Sequence, residues 1–245
     1  MSGIFNTFLY EPLYNALVFL VGVFPGHDMG FAVIALTILV RLVLYPLSRQ
    51  AIKTQIAMKE ITPEIEALKK KHEDDKEAQA KAIFGLYKER GIRPFAGALV
   101  MFVQLPVFIA LYWVFSNGGW PVVDVKHLYA GIQAPASVNM MFLGLINLQG
   151  HSIVLAALAS LSQFAYTRLS MGPRATVDPS PVEASLSGDM ARSFDFQMRY
   201  FLPLMMGVIG YTVVAAATLY LVVSNVSMIV QELASGRTYS TKKTK

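Results

Sequence analysis

The sequence predicts an all-α polytopic membrane protein with five transmembrane helices, a cytoplasmic helical hairpin and an N-terminal interfacial helix. Three observations lead there. Of 245 residues, 54% are hydrophobic and 15% charged, which is too apolar for an ordinary soluble domain. The apolar residues gather into runs that approach the roughly 20 needed to cross a hydrocarbon core. Basic residues collect between those runs, where Lys and Arg mark the cytoplasmic side.

Residues 1–29 come first. "MSGIFNTFLYEPLYNALVFLVGVFPG" has neither the basic start nor the small-residue cleavage site of a signal peptide and reads as mature protein. Glu11 and Pro12 interrupt it, leaving only Leu13 to Phe24 uninterrupted, so this part reads as an interfacial helix and external loop. Residues 30–47 form the first span. Residues 95–115 form the second, kinked at Pro106, whose missing N–H breaks the helical ladder. Residues 152–169 form the third. The run from Tyr200 to Val230 would make one helix of about 46 Å, longer than a core of about 30 Å requires.

Charge placement resolves that run. Of the 21 basic residues, 11 lie between Arg49 and Arg93, four between Arg168 and Arg199, and four after Glu232. With an external N-terminus, two short spans over 199–231 keep all three basic segments in the cytoplasm, whereas a single span would export Arg237, Lys242, Lys243 and Lys245. Residues 116–151 then form an external loop, 170–198 a cytoplasmic loop that includes "PRATVDPSPVEASLSGD", and 232–245 a basic cytoplasmic tail. Residues 48–94 are charge-dense but keep apolar residues at helical spacing, with Ile52, Ile56, Ile61, Ile65 and Leu68 on one face and Ile83, Leu86 and Tyr87 on another. This pattern predicts an antiparallel hairpin turning near "HEDDK" and stopping at Gly91 and Pro94. Its lysines read first as a solvated face.

Arg41 stands inside the first span. A guanidinium cannot lose its proton, and at the bilayer centre it costs at least about 2.5 kcal/mol. Thr37, Arg41 and Tyr45 share a face at i, i+4, i+8. Ser160, Gln163 and Thr167 form a second polar stripe, and Tyr220, Ser224, Ser227 and Gln231 a third, while Gln104 sits near the middle of the second span. Singly, such residues glue helices together. Three stripes with a cation point to a hydrated cavity instead. No span has an interior Asp or Glu to pair with Arg41. Snorkelling towards Arg49 is the competing account, but helical side chains lean towards the N-terminus, away from that residue.

Absences remove other functions. Without intramembrane carboxylates a proton-coupled carrier is disfavoured. There is no cysteine, no paired-histidine spacing and no H-E-x-x-H, G-x-S-x-G, Walker A or G-x-G-x-x-G, so neither a metal nor a cofactor nor an enzyme chemistry is predicted. "STKK" at 240–243 lies in a hydrophilic tail and is taken as chance.

The blocks "LTILVRLVLYPLSRQ", "MKEITPEIEALKKKH", "LYKERGIRPFAGALVMFVQLPVFIALYWVF" and "LYLVVSNVSMIVQ" resemble, in order, those of the YidC/Oxa/Alb family of membrane protein insertases. The resemblance covers about 30 to 232. It implies a five-helix core, a cytoplasmic hairpin and a groove open to cytoplasm and lipid, with Arg41 as the groove arginine, Thr37 one turn earlier and Gln104 in the second-span Q-x-P motif; Gln163, Tyr220 and Ser224 complete the candidate groove. The chain departs from the family at Arg93, Val100 and Leu221, where an asparagine, a proline and an aromatic are common. It lacks a large extracytoplasmic domain and a long basic tail. The resemblance further implies residence in a bacterial inner membrane and nascent membrane proteins and lipid as partners, with the ribosome and a Sec translocon as candidates and no specific nucleic-acid binding. An anion-conducting channel and a membrane scaffold are the rival readings.

Overall fold

In the computed structural model, residues 3–93, 96–172, 193 and 195–236 are described, the side chains of 96–101 excepted. The loop sequence 173–189 and the tail from 237 therefore lie outside the described residues. The chain is predominantly helical, as an all-α membrane protein requires. It divides into two compact units, one comprising Met1–Leu42 with Val107–Lys245 and the other Val43–Pro106.

In the first unit, α1 spans Gly3–Val23 and α2 spans Met29–Val43. Contrary to the sequence expectation, Glu11 and Pro12 do not interrupt α1. A π-helical turn at Asn6–Tyr10, in which Glu11 N–H donates to Asn6 O, leads into them and accommodates Pro12, which has no N–H of its own to give. At 21 residues, α1 is long and apolar enough to cross a membrane. It buries Tyr14, Leu17, Val18 and Val21, and α2 buries Met29, Ala32, Val33 and Leu36, both at the i, i+3, i+4, i+7 spacing of one helix face.

The helix expected over 30–47 is also shorter. Helix α2 ends at Val43, and after Leu44 a new helix, α3, runs from Tyr45 to Glu60 with Pro46 in its first turn. Pro46 has no N–H to give the Leu42 carbonyl, and its ring crowds that carbonyl, so the ladder breaks there. Tyr45 therefore leaves the stripe predicted for Thr37 and Arg41; it is exposed and belongs to the second unit.

Helix α6 runs from Ala96 to Asn117 with Pro106 inside it, and α7 from Ile153 to Met171. The final run divides at Val213 and Val214, both extended, into α8 (Leu202–Thr212), preceded by a π-helical turn at Gln197–Phe201, and α9 (Ala215–Ala234). Only α8 is short: α9 has 20 residues, about 30 Å. Both pack on α7 through small residues. A Cβ added to Gly210 would lie 3.0 Å from Thr218 and 3.3 Å from the Ala156 backbone, so the glycine permits the close approach.

Residues 118–150 close one end of this unit. They bury Trp120, Val123, Val138, Met140 and Leu148 and carry a short hairpin of β1 (Met141–Phe142) and β2 (Ile146–Asn147). The loop satisfies helix ends that would otherwise leave orphan amides. Ala215 N–H donates to Gly150 O at 2.7 Å and Ala216 N–H to Leu148 O at 3.0 Å, while Met29 N–H donates to Asn139 O. Asp28 caps α2 by accepting from Gly30 N–H at 2.7 Å and Phe31 N–H at 3.2 Å. The same loop grips α1: Tyr14 Oη donates to Gly118 O, and Asn15 both donates to His127 O and accepts from Tyr129 N–H.

The second unit continues from α3 through α4 (Thr62–Lys71) and α5 (Lys76–Glu89). These two pack antiparallel, joined by an Arg90–Glu64 ion pair at 2.7 Å and by Gln79 Nε2 donating to Lys69 O. Asp75 caps α5 through the amides of Glu77 and Ala78. Gly91, at φ 63°, ends it in a Schellman turn in which Ile92 N–H donates to Tyr87 O at 2.8 Å, and Ile92 then packs with Ile61 and Leu86.

Asn15 gives a test of the loop grip. Asn15→Ala leaves the His127 carbonyl and Tyr129 amide without their partner, at a cost of about 1–3 kcal/mol. Thermal unfolding in detergent should show a clear drop in midpoint, and an unchanged midpoint would mean that the loop does not hold α1.

Candidate functional site

The site is built from α2, α7 and α9. Helices α2 and α9 start at the same loop, so depth can be counted from it at about 1.5 Å per residue. Arg41 then lies roughly 18 Å along α2, and Ser224 roughly 14 Å along α9. A helical arginine leans towards its own N-terminus, which covers this offset. Arg41 Nε donates to Ser224 Oγ at 2.9 Å, and Nη2 donates to the same oxygen. The guanidinium thus points back into the helices and not towards Arg49.

Arg41 is 9% exposed. Among the described residues no carboxylate pairs with it, and its remaining N–H groups have no hydrogen-bond partner. The phenols of Tyr220 and Tyr166 lie close enough to interact with it electrostatically. The protein groups that meet it are thus a serine hydroxyl and, electrostatically, two tyrosines.

The other candidates take different positions. Thr37, one turn before Arg41 and buried, donates Oγ1 to Val33 O at 2.6 Å, a back-bond within its own helix. Gln163 is buried on α7 and donates Nε2 to Thr167 Oγ1 at 3.2 Å. Tyr220 is buried on α9 and stacks on Phe108 with ring centroids 6.2 Å apart. Ser160 lies against Gly207 of α8, and Ser227 Oγ donates to Val223 O. Gln104, half-buried on α6, falls in the second unit. Leu221 is buried in the main apolar cluster.

Residue patterning alone missed Asn225 and Tyr166. Asn225 is buried beside Ser224 and donates Nδ2 to Ser162 Oγ at 3.2 Å, tying α9 to α7. An asparagine inside an apolar helix was a readable signal. Tyr166 follows Gln163 by three residues, on the same face of α7.

The profile described as 60Kd inner membrane protein matches residues 20–243. The chain belongs to that family. All six candidate residues lie inside the matched segment. Among the relatives of this 60Kd inner membrane protein family, a membrane protein insertase YidC of Paraburkholderia phymatum is 30% identical over 237 residues, 97% of this chain and 37% of that protein. One of Burkholderia ambifaria, also named membrane protein insertase YidC, is 30% identical over 226 residues, 92% of this chain and 35% of that protein. The chain thus spans little more than a third of these relatives' length.

The Arg41–Ser224 contact predicts its own mutant pattern. Ser224→Ala withdraws the one acceptor that a buried cation has among the described residues and should cost about 1–3 kcal/mol in detergent unfolding. Ser227→Ala, which loses only a bond to its own helix, should stay within about 0.5 kcal/mol. Equal effects would show that the Ser224 contact does not hold the guanidinium.

Proposed function

We propose that the chain is a membrane protein insertase that lowers the barrier for a nascent hydrophobic segment to enter the bilayer, without making or breaking covalent bonds. The observation that carries this reading is Arg41: a permanent cation buried among apolar helices with a hydroxyl for a partner and no carboxylate among the described residues. Such a charge suits a water-filled groove that receives an anionic group brought by something else. The names of the YidC relatives support the same reading.

In this account α2, α6, α7, α8 and α9 are the five spans, and the α4–α5 hairpin and the C-terminus are cytoplasmic. The acidic or polar leading end of a substrate enters from the cytoplasm. Water and Arg41, with Thr37, Gln163, Tyr220 and Ser224 around the path, reduce the desolvation cost of that end. The apolar stretch that follows partitions into lipid beside α7 and α9. Short α8 favours a thinner bilayer locally and so a shorter crossing. Nascent membrane proteins and lipid are the partners, with a ribosome or Sec translocon working alongside in the inner membrane.

An anion channel needs a polar path through both leaflets. The end closed by Trp120, Val123, Met140 and Leu148 is apolar and buried, which argues against one.

The test is reconstitution. The full chain in liposomes, supplied with a newly made single-span substrate bearing an acidic leading end, should give several-fold more protease-protected product than liposomes holding an unrelated helical membrane protein, with no added chloride flux. Equal protection in the two preparations overturns the insertase reading. Chloride flux with no gain in protection would favour the channel.

A further inference from the structure

The second unit contains a concavity that the insertase reading does not use. Its volume is about 240 Å³, and it is lined by Gln50, Lys53, Thr54, Arg90, Ile92 and Arg93, with Ala57 and Gly91 completing the wall. At roughly 30 Å³ per water it holds on the order of eight waters, enough for one phosphate group and part of its hydration. Three side chains of the wall are cationic and none is acidic.

The fold builds this arrangement from two sides. Gln50, Lys53, Thr54 and Ala57 recur at i, i+3, i+4, i+7 and so form one face of α3. Opposite them, the Schellman turn at Gly91 reverses the chain and buries Ile92 against Ile61 and Leu86, which sets Arg90 and Arg93 on either side of the buried residue. Like charges so gathered repel one another. Glu64 answers only Arg90, at 2.7 Å. Gln50, Lys53, Thr54 and Arg93 have no hydrogen-bond or ion-pair partner among the described residues. Two cations and two neutral donors thus face one cavity, a set that matches an oxyanion.

The position along the chain indicates where that oxyanion comes from. Arg93 stands three residues before Ala96, where the apolar helix α6 begins, and Lys53 lies nine residues beyond the break at Leu44 that ends the apolar α2. Both sides of the cavity are therefore tethered to ends of apolar helices, the level at which lipid phosphates lie. We propose that Lys53, Arg93, Thr54 and Gln50, with Arg90 at the rim, form a phosphate-binding site that takes the headgroup of an anionic phospholipid.

The proposal is tested by native mass spectrometry of the full-length chain released from nanodiscs of mixed dioleoylphosphatidylglycerol and dioleoylphosphatidylcholine. The wild-type chain should retain the anionic lipid in preference. Lys53→Gln with Arg93→Gln should lower that retention by roughly fivefold per charge removed. Lys69→Gln with Lys81→Gln, equal in charge change but outside the cavity, should leave it near wild type, and Lys53→Arg should restore it in the Arg93-intact background. Circular dichroism of each variant confirms that exposed positions were changed without loss of helix. Displacement of the lipid by millimolar inorganic phosphate would show that the oxyanion alone is recognised, and no displacement would show that the lipid's anchoring adds to it; both outcomes keep the site. Equal retention of the two lipids, or an equal loss in the control pair, overturns it. So does binding of poly(U) through Lys53 and Arg93 by a chain that shows no preference for the anionic lipid.

Discussion

A guanidinium that cannot shed its proton has to be solvated wherever the fold puts it, and at Arg41 the fold puts it among apolar helices. Everything around it reads as an answer to that requirement. The answer is Ser224 Oγ and two tyrosines within electrostatic reach, with no counter-ion among the described residues. A carboxylate there would settle the charge and leave nothing to attract a passing anion. A hydroxyl holds the arginine in place and leaves its charge unneutralised.

That contact depends on two helices being held at a fixed offset. The loop 118–150 supplies the hold by giving its carbonyls to the first amides of α9 and α2 and by gripping α1 through Tyr14 and Asn15. The same loop fills its end of the unit with Trp120, Val123, Met140 and Leu148, so stiffness and closure have one source. At the other end of α2, Pro46 stops the helix soon after Arg41. Arg41 therefore belongs to the last turn of its helix, with its guanidinium directed back to Ser224.

Much of this was legible in the sequence. The 3.6-residue pattern of Met29, Ala32, Val33 and Leu36, the lone arginine, and the division of the final run by charge balance each follow from short-range rules. What failed did so for local reasons. Pro12 was read as an interruption, yet the π-helical turn just before it accommodates the missing N–H and the helix runs through. Tyr45 was placed on the Arg41 face by counting through Leu44, where Pro46 breaks the count. The partner of Arg41 could be narrowed to the polar stripes but not chosen among them, because the register of α9 against α2 is set by backbone bonds from a loop with no periodic signal. Asn225 and Tyr166 were missed because neither was counted in the polar stripes, although each lies close in sequence to a residue that was.

The central claim is that the charge of Arg41 acts on the substrate. Its most direct measurement is the insertion yield of two substrates identical but for an acidic or a neutral leading end, in wild type, Arg41→Lys and Arg41→Ala, normalised to folded protein. The account predicts that Arg41→Ala loses far more of the acidic substrate than of the neutral one, and that Arg41→Lys keeps much of both, because a point cation still attracts a carboxylate through water. Equal losses for the two substrates in Arg41→Ala would contradict it.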